Sequence, residues 1–455
     1  MAHFDLAIIG TGSGNSLVTP DFDHKRVAVI ESGKFGGTCV NVGCIPTKMY
    51  VYAADVANTI THAGKFGIDA TLYGVRWTDV RDRIFARIDA MEESGRDYRI
   101  NGPNTTAFLG HATFTGPKAL HIDTGDEVTA DQVVIATGCH PFVPTEVSDS
   151  GVPFHTSDTI MRLDELPKRL VILGSGFVAA EFAHIFSAFG SKVTVVARHD
   201  ALLRQLDTEI SRRFTKIARE QWDVRLNATL TKLTGDKTEI RLDFADGSHA
   251  SGDILLVATG RKPITAHLGL DKAGIETRED GRVKVDEYGR TNVDGVWSLG
   301  DVSSDYQLKH VANHEARIVA HNLAHPGDLR SFDHRYVPSA VFTSPQIASV
   351  GLTEEQLKTQ GRSFVTTTQA YGDTAYGWAM EDTTGVCKLI ADRATGELLG
   401  AHLMGYQASN LIAPLIQGMS LGQSVQQMAL GQYWIHPALT EVVENALLGL
   451  GLTAE

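Results

Sequence analysis

Cys39 and Cys44, in the run Gly36-Gly37-Thr38-Cys39-Val40-Asn41-Val42-Gly43-Cys44-Ile45-Pro46-Thr47-Lys48, are the residues of this chain whose type and spacing best suit chemistry. The spacing is poor for zinc, which usually takes cysteines about two to four residues apart and needs further ligands that are not in evidence here. No metal is therefore expected, and a redox-active disulfide fits better. If a helix begins near Cys44, its N-terminal dipole favours a thiolate there, and a thiolate beside an isoalloxazine ring can exchange electrons with it. The other two cysteines, Cys139 and Cys387, have no partner at redox spacing and read as structural.

The elements that would position such a pair come in two copies. Phe4-Asp5-Leu6-Ala7-Ile8-Ile9 leads into Gly10-Thr11-Gly12-Ser13-Gly14, followed by a polar connection and the strand Val27-Ala28-Val29-Ile30-Glu31. Leu170-Val171-Ile172-Leu173 leads likewise into Gly174-Ser175-Gly176, an apolar helix to Phe189, and the strand Lys192 to Val196. Each copy later ends in an apolar strand and Ala-Thr-Gly, at Ala136-Thr137-Gly138 and at Ala258-Thr259-Gly260. These read as two βαβ openings in one α/β chain. A glycine turn between a buried strand and a helix lets the backbone approach a pyrophosphate, and an acid about 20 residues on binds ribose hydroxyls. Glu31 holds that place in the first unit, although Asn15 stands where the third glycine is usual. In the second unit Ala197 replaces the acid, and Arg198 follows it, with Arg204 further on. Arginine there suits a 2′-phosphate through bidentate, charge-assisted hydrogen bonds, so NADPH is expected over NADH. The alternative is a pair of solvated surface charges.

Composition narrows the function classes. The 455 residues allow two to four domains, and 41 basic against 54 acidic residues, a net charge of −13, disfavour nucleic acid as a partner. No run approaches the ~20 apolar residues of a membrane span, and the N-terminus lacks a signal-type apolar core, so a cytoplasmic protein is expected. Four cysteines in so long a chain do not make a secreted disulfide scaffold.

Taken together, the Cys39 to Lys48 run, the two glycine turns, both Ala-Thr-Gly segments, Gly300-Asp301 and the C-terminal His436-Pro437-Ala438-Leu439-Thr440-Glu441 resemble the pyridine nucleotide-disulfide oxidoreductases. These are the flavoenzymes that include glutathione reductase and lipoamide dehydrogenase. The resemblance implies an α/β fold with two Rossmann-like dinucleotide-binding domains, for FAD and NADPH, plus an α+β C-terminal dimerisation domain. The boundaries are expected at 1–147 resumed at 263–333 for FAD, 148–262 for NADPH, and 334–455 for the interface.

Residue by residue, the resemblance places Gly10, Gly12, Gly14 and Thr38 at the FAD pyrophosphate and Glu31 at its adenosine ribose. Gly138 and Asp301 complete the FAD set, and Gly174, Gly176, Arg198, Arg204 and Gly260 hold NADPH. Cys39 becomes the thiol that attacks substrate, and Cys44 the thiol against the flavin. Lys48 pairs with Glu181 near the flavin and the nicotinamide, with an ordinary helix-to-helix ion pair as the alternative. His436, oriented by Glu441, serves as the base that thiol-disulfide exchange requires, since imidazole titrates in the right range. A lowered Cys39 pKa is expected to assist it. Cysteines and histidine lie at opposite ends of the chain, so the resemblance implies a homodimer in which His436 serves the other subunit's Cys39.

The substrate implied is a low-molecular-weight disulfide. Asn15, the segment Tyr376 to Asp382 and the run Gly431 to His436 narrow the resemblance to members whose substrate carries a sugar-inositol body instead of glutathione's two free carboxylates. Alternatives are a dihydrolipoamide dehydrogenase working in a multienzyme complex and a reductase of oxidised glutathione. Tyr50, Tyr52 and the segment from Trp77 to Tyr98 are candidates for the cleft wall, although an apolar helical stripe is more often core.

Overall fold

The computed structural model describes residues 2–452. Apolar strand-length runs build a first sheet in the order Thr105–Leu109, Val27–Glu31, Ala2–Ile9, Glu127–Ile135, Ala119–Ile122, Ala112–Gly116, with Val296–Ser298 also pairing with Glu127–Ile135. Its central strands are parallel, and Ala7, Ile8, Val29 and Val133 are fully buried, as strands covered on both faces must be. A second, parallel sheet runs Asp223–Arg225, Lys192–Val196, Arg169–Leu173, Ile254–Val257, flanked by the helix Phe177–Ala188 and by an antiparallel sheet of three strands between Leu230 and Gly252. The short pair Cys139–Pro141 and Arg261–Pro263 joins the two units. The last part is a five-stranded antiparallel sheet, Ser339–Val341, Gln346–Gly351, Leu398–Gly405, Val386–Asp392, Phe364–Ala370, against which the helix Glu441–Gly449 packs.

The second glycine turn opens a βαβ unit as its sequence implies, but the first does not. Between Ile9 and Val27 there are only two 3-10 turns, Gly14–Leu17 and Pro20–Phe22. Pro20 has no amide hydrogen and holds Thr19 extended (φ −93°, ψ 171°), so a helix started at Gly14 cannot pass it. The helix Lys309–Ala324, from far along the chain, packs against the Gly14–Leu17 turn instead. Its Ala316, Val319 and Ala320 share a buried cluster with Leu17 and Phe22.

The parts are tied to one another by burial. Tyr50 and Ala54 share a core with Phe182 and Phe186 of the second unit. Lys388 of the last sheet lies buried 2.9 Å from Asp207 and 2.8 Å from Glu354. Among the described residues no helix is long and apolar enough to cross a membrane.

Candidate active site

Cys39 lies in the short helix Gly37–Asn41 and Cys44 opens the helix Cys44–Thr61. The entry between strand and first helix needs glycine: Gly36 and Gly37 have φ of +90° and +63°, and a Cβ on Gly37 would stand 2.8 Å from the Cα of Gly12. Asn41 pins the connection by donating to the carbonyls of Phe35 and Gly37, at 2.8 and 3.0 Å. Both cysteines are free thiols, and each exerts the largest influence on the other's ionisation.

The two thiols are shifted in opposite directions. Donation from Cys39, together with the nearby Lys48 ammonium, brings Cys44 down to about 7 against the opposing effect of burial. Donating that hydrogen bond, and burial, push Cys39 well above the usual thiol range. This reverses the expectation of a lowered Cys39. The helix start and Lys48, one turn on, both favour charge on Cys44, and two adjacent sulfurs do not both ionise.

Lys48 donates to Glu181 at 2.6 Å, and Glu181, 4% exposed, also accepts from the amide of Phe342 at 3.0 Å. The pair thereby links the cysteine helix, the helix of the second unit and the start of the last sheet. Both residues line one cavity of about 530 Å³ with Cys39 and Cys44.

The same cavity is lined by Gly10, Gly12, Glu31, Thr38, Gly138 and Asp301. A Cβ on Gly10 (φ +101°) would lie 2.4 Å from the Ala136 carbonyl, so only glycine permits this turn. Glu31 accepts from the amide and hydroxyl of Thr11 (2.9 and 2.7 Å) and from the Gly33 amide (2.9 Å), which leaves acceptor capacity for a ribose hydroxyl. A bare glycine backbone at one end, an acid at the strand end and two thiols at the other end fit an FAD-sized dinucleotide. Gly14 is not at the cavity surface. A Cβ there would meet the Ala136 Cβ at 2.8 Å, so Gly14 supplies the close packing expected of a third glycine. Asn15 is thereby freed, and its side-chain and backbone oxygens accept from Arg99 at 2.6 and 2.7 Å.

Cys139, read as structural from its spacing, is tied into the cavity wall. Its thiol donates to Asp301 at 2.7 Å and accepts from Arg261 Nε at 2.9 Å, all three lining the cavity. Burial, chiefly, pushes Cys139 up to about 12 and raises Asp301 as well.

A second cavity of about 590 Å³ is lined by Gly174, Gly176, Arg198 and Gly260. His199 and Gln205 line it too and went unread, although the run Arg198-His199-Asp200 marks the place. Arg204 is not among its lining residues and stands half exposed, 3.9 Å from Asp200. The two cavities share Ser157, Phe177, Val178, Arg261 and Gln307. Gly174 (φ +145°) admits no side chain, because its Cβ would sit 2.2 Å from the Ala258 carbonyl. Gly174→Ala is expected to raise the KM for NADPH about tenfold or more through the forced shift of the turn. Steady-state kinetics checks this, and an unchanged KM refutes it.

His436 and Glu441 meet at 2.6 Å, and Glu441 begins the last helix. The His436 side chain is 73% exposed, and neither residue lines the cysteine cavity. Tyr433 and Ile435 beside it are also exposed. Tyr50 and Trp77, candidates for the cleft wall, are instead buried and stacked at 5.3 Å, whereas Tyr52 is exposed.

Residues 4–316 match the pyridine nucleotide-disulphide oxidoreductase model, and residues 337–447 match the dimerisation domain of the same family. The chain is 56% identical over 461 residues to mycothione reductase of Mycobacterium tuberculosis, covering 99% of this chain and 100% of the relative. It is 32% identical to dihydrolipoyl dehydrogenase of Corynebacterium glutamicum, covering 98% of each. Among solved structures, the HOCl-induced flavoprotein disulfide reductase RclA from Escherichia coli superimposes with a TM-score of 0.86 at 29% identity, over 98% of this chain and 99% of that one. The chain therefore belongs to the pyridine nucleotide-disulphide oxidoreductases and is an FAD- and NAD(P)H-dependent flavoprotein disulfide reductase with a dimerisation domain.

Proposed function

We propose that this enzyme reduces mycothione to mycothiol with NADPH, in the cytoplasm, as a homodimer whose sites each draw on both subunits. The observation that carries the substrate is the 56% identity, end to end, with a mycothione reductase. The domains divide at 1–147 with 263–333, 148–262 and 334–455, a division supported by the separate seven-stranded, four-stranded and five-stranded sheets that fall in the three parts.

Bound FAD supplies the passage of two electrons from NADPH to the Cys39–Cys44 disulfide. The protein's part is positioning, by the glycine turns, Glu31 and Asp301 for one dinucleotide and by Gly174, Gly176, Gly260 and Arg198 for the other. Lys48, held by Glu181, keeps a positive charge beside Cys44. In the reduced pair, His436 of the partner subunit takes the Cys39 proton. The Cys39 sulfur attacks one substrate sulfur, the substrate S–S bond breaks, and a Cys39-substrate disulfide forms while the departing thiolate takes the proton back from His436. Cys44 thiolate then attacks Cys39, the mixed disulfide bond breaks, the second substrate half leaves as a thiolate that takes its proton from solvent, and the Cys39–Cys44 disulfide closes. Glu441, 2.6 Å from His436 Nδ1, orients the ring through this exchange.

The test is NADPH oxidation by the purified flavoprotein with mycothione, oxidised glutathione and lipoamide in parallel, repeated with NADH. Turnover with mycothione is expected, with NADPH preferred about tenfold or more, the worth of one charged hydrogen-bonding contact at Arg198. Turnover with lipoamide and NADH would assign the protein to a dehydrogenase complex instead.

A further inference from the structure

The first unit lacks the crossover helix whose N-terminus would set positive potential against a diphosphate, because only 3-10 turns join Ile9 to Val27. The glycine turn is nonetheless in place, so positive charge for the dinucleotide must come from elsewhere. Four Lys or Arg side chains line the cavity: Lys34, Lys48, Arg261 and Lys309. Lys34 is engaged with Asp89 at 3.2 Å and Lys48 with Glu181 at 2.6 Å. Arg261 is held on Cys139, next to Asp301. Lys309 donates to the Ser13 hydroxyl at 2.9 Å and, among the described residues, makes no ion pair.

The setting of Lys309 is unusual for a lysine. It is the first residue of the 16-residue helix Lys309–Ala324, the end at which the helix dipole disfavours a cation. Its ammonium reaches across to Ser13, within the glycine turn itself, and Ser13 in turn donates to Asn313 at 3.1 Å, one turn along the same helix. A cation held against the dipole, facing a glycine turn and without a carboxylate, needs an anion. We propose that Lys309 is the side-chain cation that receives the diphosphate of FAD, and that the helix Lys309–Ala324 stands in for the crossover helix the first unit does not form. The inference rests on FAD occupying this cavity. Lys309 also lies near enough to Cys39 to favour its thiolate, which gives the main competing role.

The test removes FAD from the wild-type dimer and from Lys309→Arg, Lys309→Gln and Lys309→Met variants, and titrates FAD back by flavin fluorescence at low and high salt. The proposal expects FAD to bind about tenfold or more weakly to Lys309→Gln and Lys309→Met, with a shallower salt dependence, and expects Lys309→Arg to stay near wild type. Affinity and salt dependence unchanged in the neutral variants would overturn it. So would an equal, salt-independent loss in all three variants, which marks a packing role, or unchanged FAD affinity with a slowed, pH-shifted alkylation of Cys39, which assigns the lysine to the thiol. If wild type itself fails to take up FAD, the reading of the cavity fails and the role of Lys309 falls with it, whereas the outcomes above overturn the role of Lys309 alone. The lysine is half-buried at a helix start, so its neutral replacements leave the core untouched.

Discussion

A hybrid dimer pairing a His436→Gln subunit with a Cys39→Ser subunit recovers about half of wild-type disulfide turnover, while each variant as a homodimer is nearly inactive. The expected loss for His436→Gln alone is about 10²- to 10⁴-fold, the usual worth of a positioned general base, and Cys39→Ser removes the attacking sulfur. In the hybrid, one of two symmetry-related sites takes Cys39 from the first subunit and His436 from the second, and both are intact there. The other site has lost both. If His436 served the cysteines of its own chain, neither hybrid site would be complete and activity would stay at the level of the homodimers. The two subunits are co-expressed with different tags so that the hybrid is isolated before assay. Within one chain His436 is exposed beside Tyr433 and Ile435, outside the cavity that holds Cys39, and this arrangement motivates the experiment.

What could be read from the sequence is what chemistry keeps local along the chain. The cysteine run, each glycine turn with its strand, and His436 with Glu441 are short segments whose residues meet by virtue of their spacing, and in the structure they do meet. What could not be read depends on contacts between distant segments. Pro20 forbids a helix in the first crossover, yet nothing near it says that Lys309–Ala324 will pack in that place. Gly14 takes the close-packing duty expected at position 15 because Ala136 presses on it, and Asn15 serves neither expected duty because it is engaged by Arg99. Cys139 finds Asp301 and Arg261 only once the short strands Cys139–Pro141 and Arg261–Pro263 have paired. Arg204, six positions after Arg198, shared its expected role only on the assumption that both face the cavity, and the local path of the chain turns it to Asp200.

The division of one proton between two sulfurs is a further case, and it leads to a measurable titration. The reduced enzyme is expected to ionise Cys44 near pH 7, and Cys39→Ala to move that ionisation up by about one to two pH units, whereas Cys39→Ser, which keeps a hydrogen-bond donor, moves it far less. The largest cause of the lowering is donation from Cys39, followed among the favourable ones by Lys48, with burial working against both. A hydrogen bond to a charged group contributes about 1.5–3 kcal/mol, and one pH unit corresponds to about 1.4 kcal/mol, which sets the size of the shift. The sign follows from a pKa below the ordinary thiol value: the thiolate is present above about 7, roughly nine-tenths formed at pH 8, and falls to roughly one-tenth at pH 6. Thiolate absorbance in the ultraviolet, followed across this range, reads it directly. Identical titrations for Cys39→Ala and Cys39→Ser, or a wild-type value near 9, would refute the assignment. With Cys44 lowered and Cys39 raised, reduction of a substrate disulfide waits for a base to take the Cys39 proton. Disulfide turnover therefore declines as pH falls through about 7, and it does so by loss of the Cys44 thiolate even where the base for Cys39 remains in place.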